Sequence, residues 1–186
     1  MPAGTVEGGL VDAIREAALL EGDFVLRSGR RSSYYLDKYR FSTRPDLLAP
    51  LGAAIAEAVR AHEPLAVRIA APELGAVPLA AAASLASGLP FVIVRSSAKE
   101  YGTGNRIEGV FEPGERVCLV EDVVTAGGAA LEAVEALRDA GLIVSTVVCV
   151  VDREEGGADA LARAAVRLRA LFVASEIRGS TPRAHG

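Results

Sequence analysis

Residues 116–129 read RVCLVEDVVTAGGA, and this stretch decides the architecture. Val117, Leu119, Val120, Val123 and Val124 form a short apolar, β-branched run of the kind that makes a strand buried on both faces. Glu121 and Asp122 interrupt that run near its end. Two adjacent carboxylates repel one another and are costly to bury, so they call for cations, water or sugar hydroxyls as partners. Thr125, Ala126, Gly127, Gly128 and Ala129 follow with little side-chain bulk. Consecutive backbone N–H groups and a helix N-terminus then have room to surround an anion. A strand, an acidic pair and a small-residue loop together suit a ribose carrying a phosphate. The blander alternative is a strand ending in a polar turn, with Thr125 capping the next helix.

Working outward, the chain alternates. Strands are expected near 66–71, 91–95 and 143–151 around the central one, with helices near 75–87, 128–140 and 158–169. Such alternation predicts a parallel sheet covered by helices on both sides, with ligands at the carboxyl ends of its strands. Upstream, residues 10–20 (LVDAIREAALL) have helical spacing after a loose tail. Phe24–Leu26 and Tyr34–Leu36 read as two short strands joined by a basic turn. Residues 45–62 read as a helix despite Pro50, which is expected to offset its first turn. The segment after Ser175 is polar and expected to fray.

The 186 residues are enough for one well-buried domain and too few for two ordinary ones. Residues 10–40 would form a hood, 41–175 a core and 176–186 a flexible tail. No apolar run approaches the roughly 20 residues that cross a bilayer, and MPAGTVEGGL has no secretory pattern. A soluble cytoplasmic protein without a membrane partner is expected. Net charge is −4, which argues against a broad nucleic-acid surface while allowing a small anion site. Cys118 and Cys149 sit in apolar runs and read as buried thiols. Arg is the dominant base, and Lys38 and Lys99 are the two lysines.

The central stretch, written VCLV-ED-VV-TAGG, closely resembles the phosphoribosyl-diphosphate signature of the type I phosphoribosyltransferases. That resemblance implies an α/β type I phosphoribosyltransferase fold, a central parallel sheet flanked by helices under a small N-terminal antiparallel hood. A second segment narrows it. Residues 95–109, RSSAKEYGTGNRIEG, are a polar, Gly-rich run without secondary structure, unusually long for a compact domain. Such a loop usually moves or binds, with Gly102, Gly104 and Gly109 as hinges and Arg95, Lys99 and Arg106 as cations. It resembles the mobile catalytic loop of the orotate phosphoribosyltransferase family at Arg95 and Lys99, and departs from it at Ser96 and Tyr101.

Residues 20–37, LEGDFVLRSGRRSSYYLD, resemble the same family's GxFxLxSGxxSxYY segment. The likeness puts Arg27 on the phosphoribosyl substrate and the Tyr35–Leu36 backbone on orotate. Residues 71–78, APELGAVP, occupy the place of the diphosphate-contacting turn. Many members have Lys there and this chain has Gly75, so backbone N–H groups would bind in its stead. Arg153, closing a strand, aligns with an orotate-binding Arg, and a planar guanidinium suits a carboxylated pyrimidine.

The resemblance therefore implies transfer of ribose 5-phosphate from 5-phosphoribosyl 1-diphosphate to orotate in pyrimidine synthesis. It implies Mg²⁺ held mainly by substrate, and a homodimer that shares loops between subunits. Lys99, Arg95 and Asp122 would be catalytic. The donor would be bound by Arg27, Arg95, Lys99, Tyr101 and the run from Glu121 to Ala129, and orotate by Tyr35, Leu36, Thr125 and Arg153. Two alternatives stay open: a type I transferase for another base such as a purine, and a non-catalytic regulator that binds the donor. No GxxxxGK[ST] loop, GxSxG elbow or metal-spaced His/Cys cluster is present, which argues against a nucleoside triphosphatase or hydrolase.

Overall fold

The computed structural model describes residues 4–25, 29, 31–97 and 106–179. The elements in chain order are α1 (Gly4–Ala18), β1 (Leu19–Val25), β2 (Arg31–Leu36), α2 (Tyr39–Ser42), α3 (Pro45–His62), β3 (Arg68–Pro72), α4 (Ala76–Ser87) and β4 (Phe91–Val94). They continue as β5 (Ile107–Glu108), β6 (Arg116–Val124), α5 (Gly128–Asp139), β7 (Ile143–Asp152), α6 (Gly157–Arg163), β8 (Arg167–Val173) and α7 (Ala174–Ile177). The main sheet has the order β5-β4-β3-β6-β7-β8.

Four features depart from the sequence expectations. The sheet is mixed, because β5 pairs antiparallel with β4 (Ile93 opposite Glu108, Val94 opposite Ile107) while the remaining pairs are parallel. The segment 95–109 is therefore not wholly irregular. The opening helix begins at Gly4 and ends at Ala18, since Leu19 and Leu20 leave it to pair with Leu36 and Tyr35.

The helix expected over 158–169 stops at Arg163, and 167–173 form an eighth strand. Ala and Arg favour helix locally, but Ala165 turns into the left-handed region (φ 57°) and β8 pairs with β7 from Thr146–Arg167 to Asp152–Val173. Burial of Phe172 accompanies that pairing, so tertiary context outweighs local propensity. Finally, residues 176–179 are not a frayed tail: Ile177 is buried, and Arg15 donates to the carbonyls of Glu176 (2.7 Å) and Ile177.

Two apolar clusters cover the sheet. On one side Ile69, Ala71, Cys118, Val120, Val148 and Val150 pack with α1, α3 and α4; on the other Ala70, Leu119, Val147 and Cys149 pack with α5 and α6. Parallel strands buried on both faces explain the unbroken apolar runs in β6 and β7. Cys118 and Cys149 are buried free thiols, and burial pushes the Cys118 thiol up to about 12. At the amino ends of the strands Glu63 accepts from Thr146 (2.7 Å) and Ser145 and lies 3.5 Å from Arg116, fastening the end of α3 to β6 and β7. No helix among the described residues is long and apolar enough to cross a membrane.

Candidate functional site

The chain passes from β3 outward to β4, then returns to β6 and proceeds through β7 to β8 in the opposite direction. The reversal lies between β3 and β6, where open sheets of this kind hold ligands beyond their carboxyl ends. At this edge α4, α5 and α6 begin. Their N-caps, Gly75, Gly127 and Gly156, carry no side-chain cap. First-turn N–H groups are thus left to meet an anion.

Thr125 does not cap α5; it is exposed in the turn, along with Ala126, and the cap position falls on Gly127. Gly127 has φ 85°, a conformation that favours glycine. Gly128 and Ala129 form the exposed start of the helix.

Glu121 and Asp122 do not interrupt β6, which continues through Val123 to Val124. Both carboxylates are buried. Strand alternation sends them to opposite faces. Asp122 Oδ1 accepts the Val123 N–H at 2.6 Å, and Oδ2 pairs with Lys38 Nζ at 2.8 Å. For Lys38, burial opposes the charge, but the bond to Asp122 and the charges of Asp122 and Glu121 outweigh it and raise its pKa.

Burial pushes the Glu121 carboxyl up to about 8, the Asp122 charge adding to the effect while the Asp122 N–H and Lys38 oppose it. An unfolded glutamate titrates near ~4.3, so in the window between that value and about 8 the folded protein holds a proton that the unfolded chain has released. Stability contributed by this group is complete below the ordinary glutamate range and is lost as pH rises through about 8. Denaturation midpoints of ligand-free protein at about pH 6 and about pH 9 measure this: wild type is expected to lose stability across the interval and Glu121→Gln to lose less. Equal losses would remove the assignment.

The turn after β3 is tied to the start of the 95–109 segment. Glu73 Oε1 accepts the Ser96 N–H at 2.9 Å and its hydroxyl at 2.7 Å, and Arg95 Nη1 lies 4.0 Å from Glu73 Oε2. The two Ser96 donors hold the Glu73 carboxyl below the usual range. The Arg95 N–H donates to the Arg106 carbonyl at 2.8 Å, so both ends of the loop are clamped at the edge of the sheet.

Arg153 closes β7, its N–H donating to the Val124 carbonyl at 2.8 Å. Its side chain is 9% exposed, unlike an ordinary surface charge, and pairs with Glu155 at 3.1 Å. The guanidinium lies over the Tyr34 ring (5.1 Å to the centroid) and donates to its hydroxyl at 3.3 Å; Arg178 covers the same ring at 4.6 Å. Tyr34 therefore joins β2 to the core beside Arg153. Next to it, Tyr35 is partly exposed against Phe24 and Leu36 is buried, and β2 pairs along one edge only, with β1. Arg31, the first residue of β2, pairs with Asp23.

Arg95, Glu121, Asp122, Val123, Val124, Thr125, Ala126, Gly127, Gly128 and Ala129 thus share the carboxyl edge of the sheet, and Tyr35 and Leu36 approach Arg153 through Tyr34. Arg27, Lys99 and Tyr101 lie outside the described residues. Sequence reading missed Lys38, Glu73 and Tyr34. Lys38 carried a faint signal as one of two lysines, but its acid is distant in sequence; nothing local marked Glu73.

No protein-family model matches the chain. An orotate phosphoribosyltransferase of Methanocella arvoryzae is 48% identical over 174 residues, covering 93% of this chain and 98% of the relative. Among solved structures, the orotate phosphoribosyltransferase of Mycobacterium tuberculosis in complex with Fe(III) dicitrate superposes with a TM-score of 0.82 at 33% identity, covering 92% of this chain and 98% of that one. The same enzyme in complex with 5-phospho-α-D-ribosyl 1-diphosphate gives 0.79 at 30% identity, covering 93% and 99%.

Proposed function

The chain belongs to the orotate phosphoribosyltransferase family, and from that premise we propose how its residues move ribose 5-phosphate from 5-phosphoribosyl 1-diphosphate to N1 of orotate. The products are orotidine 5′-monophosphate and diphosphate, in de novo pyrimidine synthesis. Breaking the anomeric bond leaves positive charge on the ribose and negative charge on the diphosphate, so the protein's contribution is chiefly electrostatic.

Asp122 and Glu121 fix the vicinal ribose hydroxyls, directly or through water. The backbone of Thr125 to Ala129 and the uncapped start of α5 hold the 5′-phosphate. Arg27 reaches the donor from the hood. The loop bearing Arg95, Lys99 and Tyr101 closes over the diphosphate and excludes water that would capture the ribosyl cation. Orotate lies between the Tyr35–Leu36 backbone, Thr125 and Arg153.

The observation that carries the choice of base is Arg153. Its side chain is held by Tyr34 and Glu155 just beyond the carboxyl end of β7. A planar guanidinium fixed there suits the carboxylate that orotate has and uracil and the purines lack.

The donor set fits Mg²⁺ carried in by substrate. The described residues contain no cluster of three or more metal-ligating side chains, and hard Mg²⁺ sites commonly combine substrate phosphates, retained water and at most one or two carboxylates. When bound, with Glu121 and Asp122 as the carboxylates available to it or to its water shell, the ion would supply positive charge that neutralises the leaving group. The protein works as a cytoplasmic homodimer with loops shared between subunits.

Initial rates with orotate, uracil, adenine, guanine and xanthine, with Mg²⁺ varied, test this reading. Orotate is expected to be the sole efficient acceptor. Faster use of a purine would overturn the base assignment, and donor binding without release of diphosphate would overturn the catalytic one.

A further inference from the structure

Lys38 stands at the N-cap of the four-residue helix α2, yet its ammonium reaches β6 and pairs with Asp122 at 2.8 Å. Asp122 is 3% exposed at its side chain and Lys38 37%, so the acid is enclosed while the lysine remains open to the site. Among the described residues, Lys38 is the one cation paired with Asp122. Gly75 makes the approach possible. A Cβ added there would lie 2.0 Å from Asp122 Oδ2 and 3.2 Å from Lys38 Cε. The absent side chain is therefore the space through which lysine and acid meet, beside the uncapped start of α4.

An ionised carboxylate offers about four lone-pair sites. One contact at each Asp122 oxygen, Lys38 on Oδ2 and the Val123 N–H on Oδ1, fixes its orientation and leaves capacity for two hydroxyl donors. A buried carboxylate deprived of its cation would be free to turn away from the orientation in which it accepts.

We propose that Lys38 is a positioning residue for the sugar-donor site, holding Asp122 in the orientation that receives the ribose hydroxyls, through a gap kept open by Gly75. The inference rests on the function proposed above for Asp122. It gives Lys38 a role in one substrate's binding, distinct from a general contribution to folding.

The test compares wild type, Lys38→Met, Lys38→Arg and Gly75→Ala, using initial rates with each substrate varied and calorimetry with 5-phosphoribosyl 1-diphosphate and Mg²⁺. Lys38→Met is expected to raise the donor's KM and Kd about 10-fold or more, the scale of one hydrogen bond to a charged group, with the orotate KM within about twofold. Lys38→Arg should recover most of the donor affinity. Gly75→Ala should reproduce the donor-specific loss with the lysine intact. Unchanged donor KM and Kd in Lys38→Met, or an equal rise in both KM values, overturns the proposal. If Lys38→Met does not fold, unchanged donor constants in Gly75→Ala overturn it instead. Wild type that binds the donor but makes no nucleotide from orotate overturns the proposed function alone, and the calorimetric comparison still decides the role of Lys38.

Discussion

Lys99→Ala is expected to lower turnover about 100-fold, equivalent to losing about 3 kcal/mol of transition-state stabilisation, while the donor's KM stays within about threefold. The split follows from where charge appears. The diphosphate is anionic throughout, and further negative charge builds on it as the anomeric bond breaks. The loss of a cation that engages this added charge falls on kcat more than on KM. The anchoring of the loop supports this assignment. Its two ends are fixed by the Arg95–Arg106 backbone bond and the β4–β5 pairing, and Glu73 holds Ser96 through two donors. Both ends of the segment that carries Lys99 are thus held at the edge of the sheet, beside the turn that leads into α4. Steady-state kinetics on purified variant and wild type measure the effect; an unchanged kcat would remove Lys99 from the catalytic group.

The parts of the fold that sequence discloses are those set by local rules. The run 117–124 is apolar enough to read as a doubly buried strand and forms one, and the small residues 125–127 form the turn that leads into α5. Strand β8 was hidden because RLRALFV follows an Ala- and Arg-rich helix without a Gly or Pro between them. The break comes from Ala165 adopting a positive φ, which its residue type does not announce. At the site, the acidic pair was legible and its partner was not. Lys38 and Asp122 meet only because β2 and α2 fold over the carboxyl end of β6, and Gly75 reads from sequence as a missing charge when in space it is a clearance. Arg153 was placed by likeness, while its seat on Tyr34 depends on how the hood strand docks.

Gly157→Ala is expected to lower kcat/KM for the sugar donor about 100-fold, because a shift of about 1 Å at a positioning element is enough for a loss of that size. An added Cβ would lie 2.4 Å from Val124 Cγ1 and 2.6 Å from the Thr125 carbonyl oxygen. Val124 can rotate its methyl aside, but the Thr125 carbonyl is backbone at the first residue of the turn into α5 and moves only by carrying that turn with it. Gly127 closes the other side, since a Cβ there would lie 3.2 Å from the Gly157 carbonyl oxygen. The two glycine turns are pressed together, and neither has a free direction in which to yield. Overpacking of this kind costs about 1–3 kcal/mol, which corresponds to a fall in Tm of roughly 2–12 °C for a chain of this size. Gly128→Ala separates the two consequences: no heavy atom lies within 4 Å of an added Cβ there, so its Tm should not fall. A Gly157→Ala enzyme with lowered Tm and undiminished donor kcat/KM would mean that the 5′-phosphate is not seated on this loop.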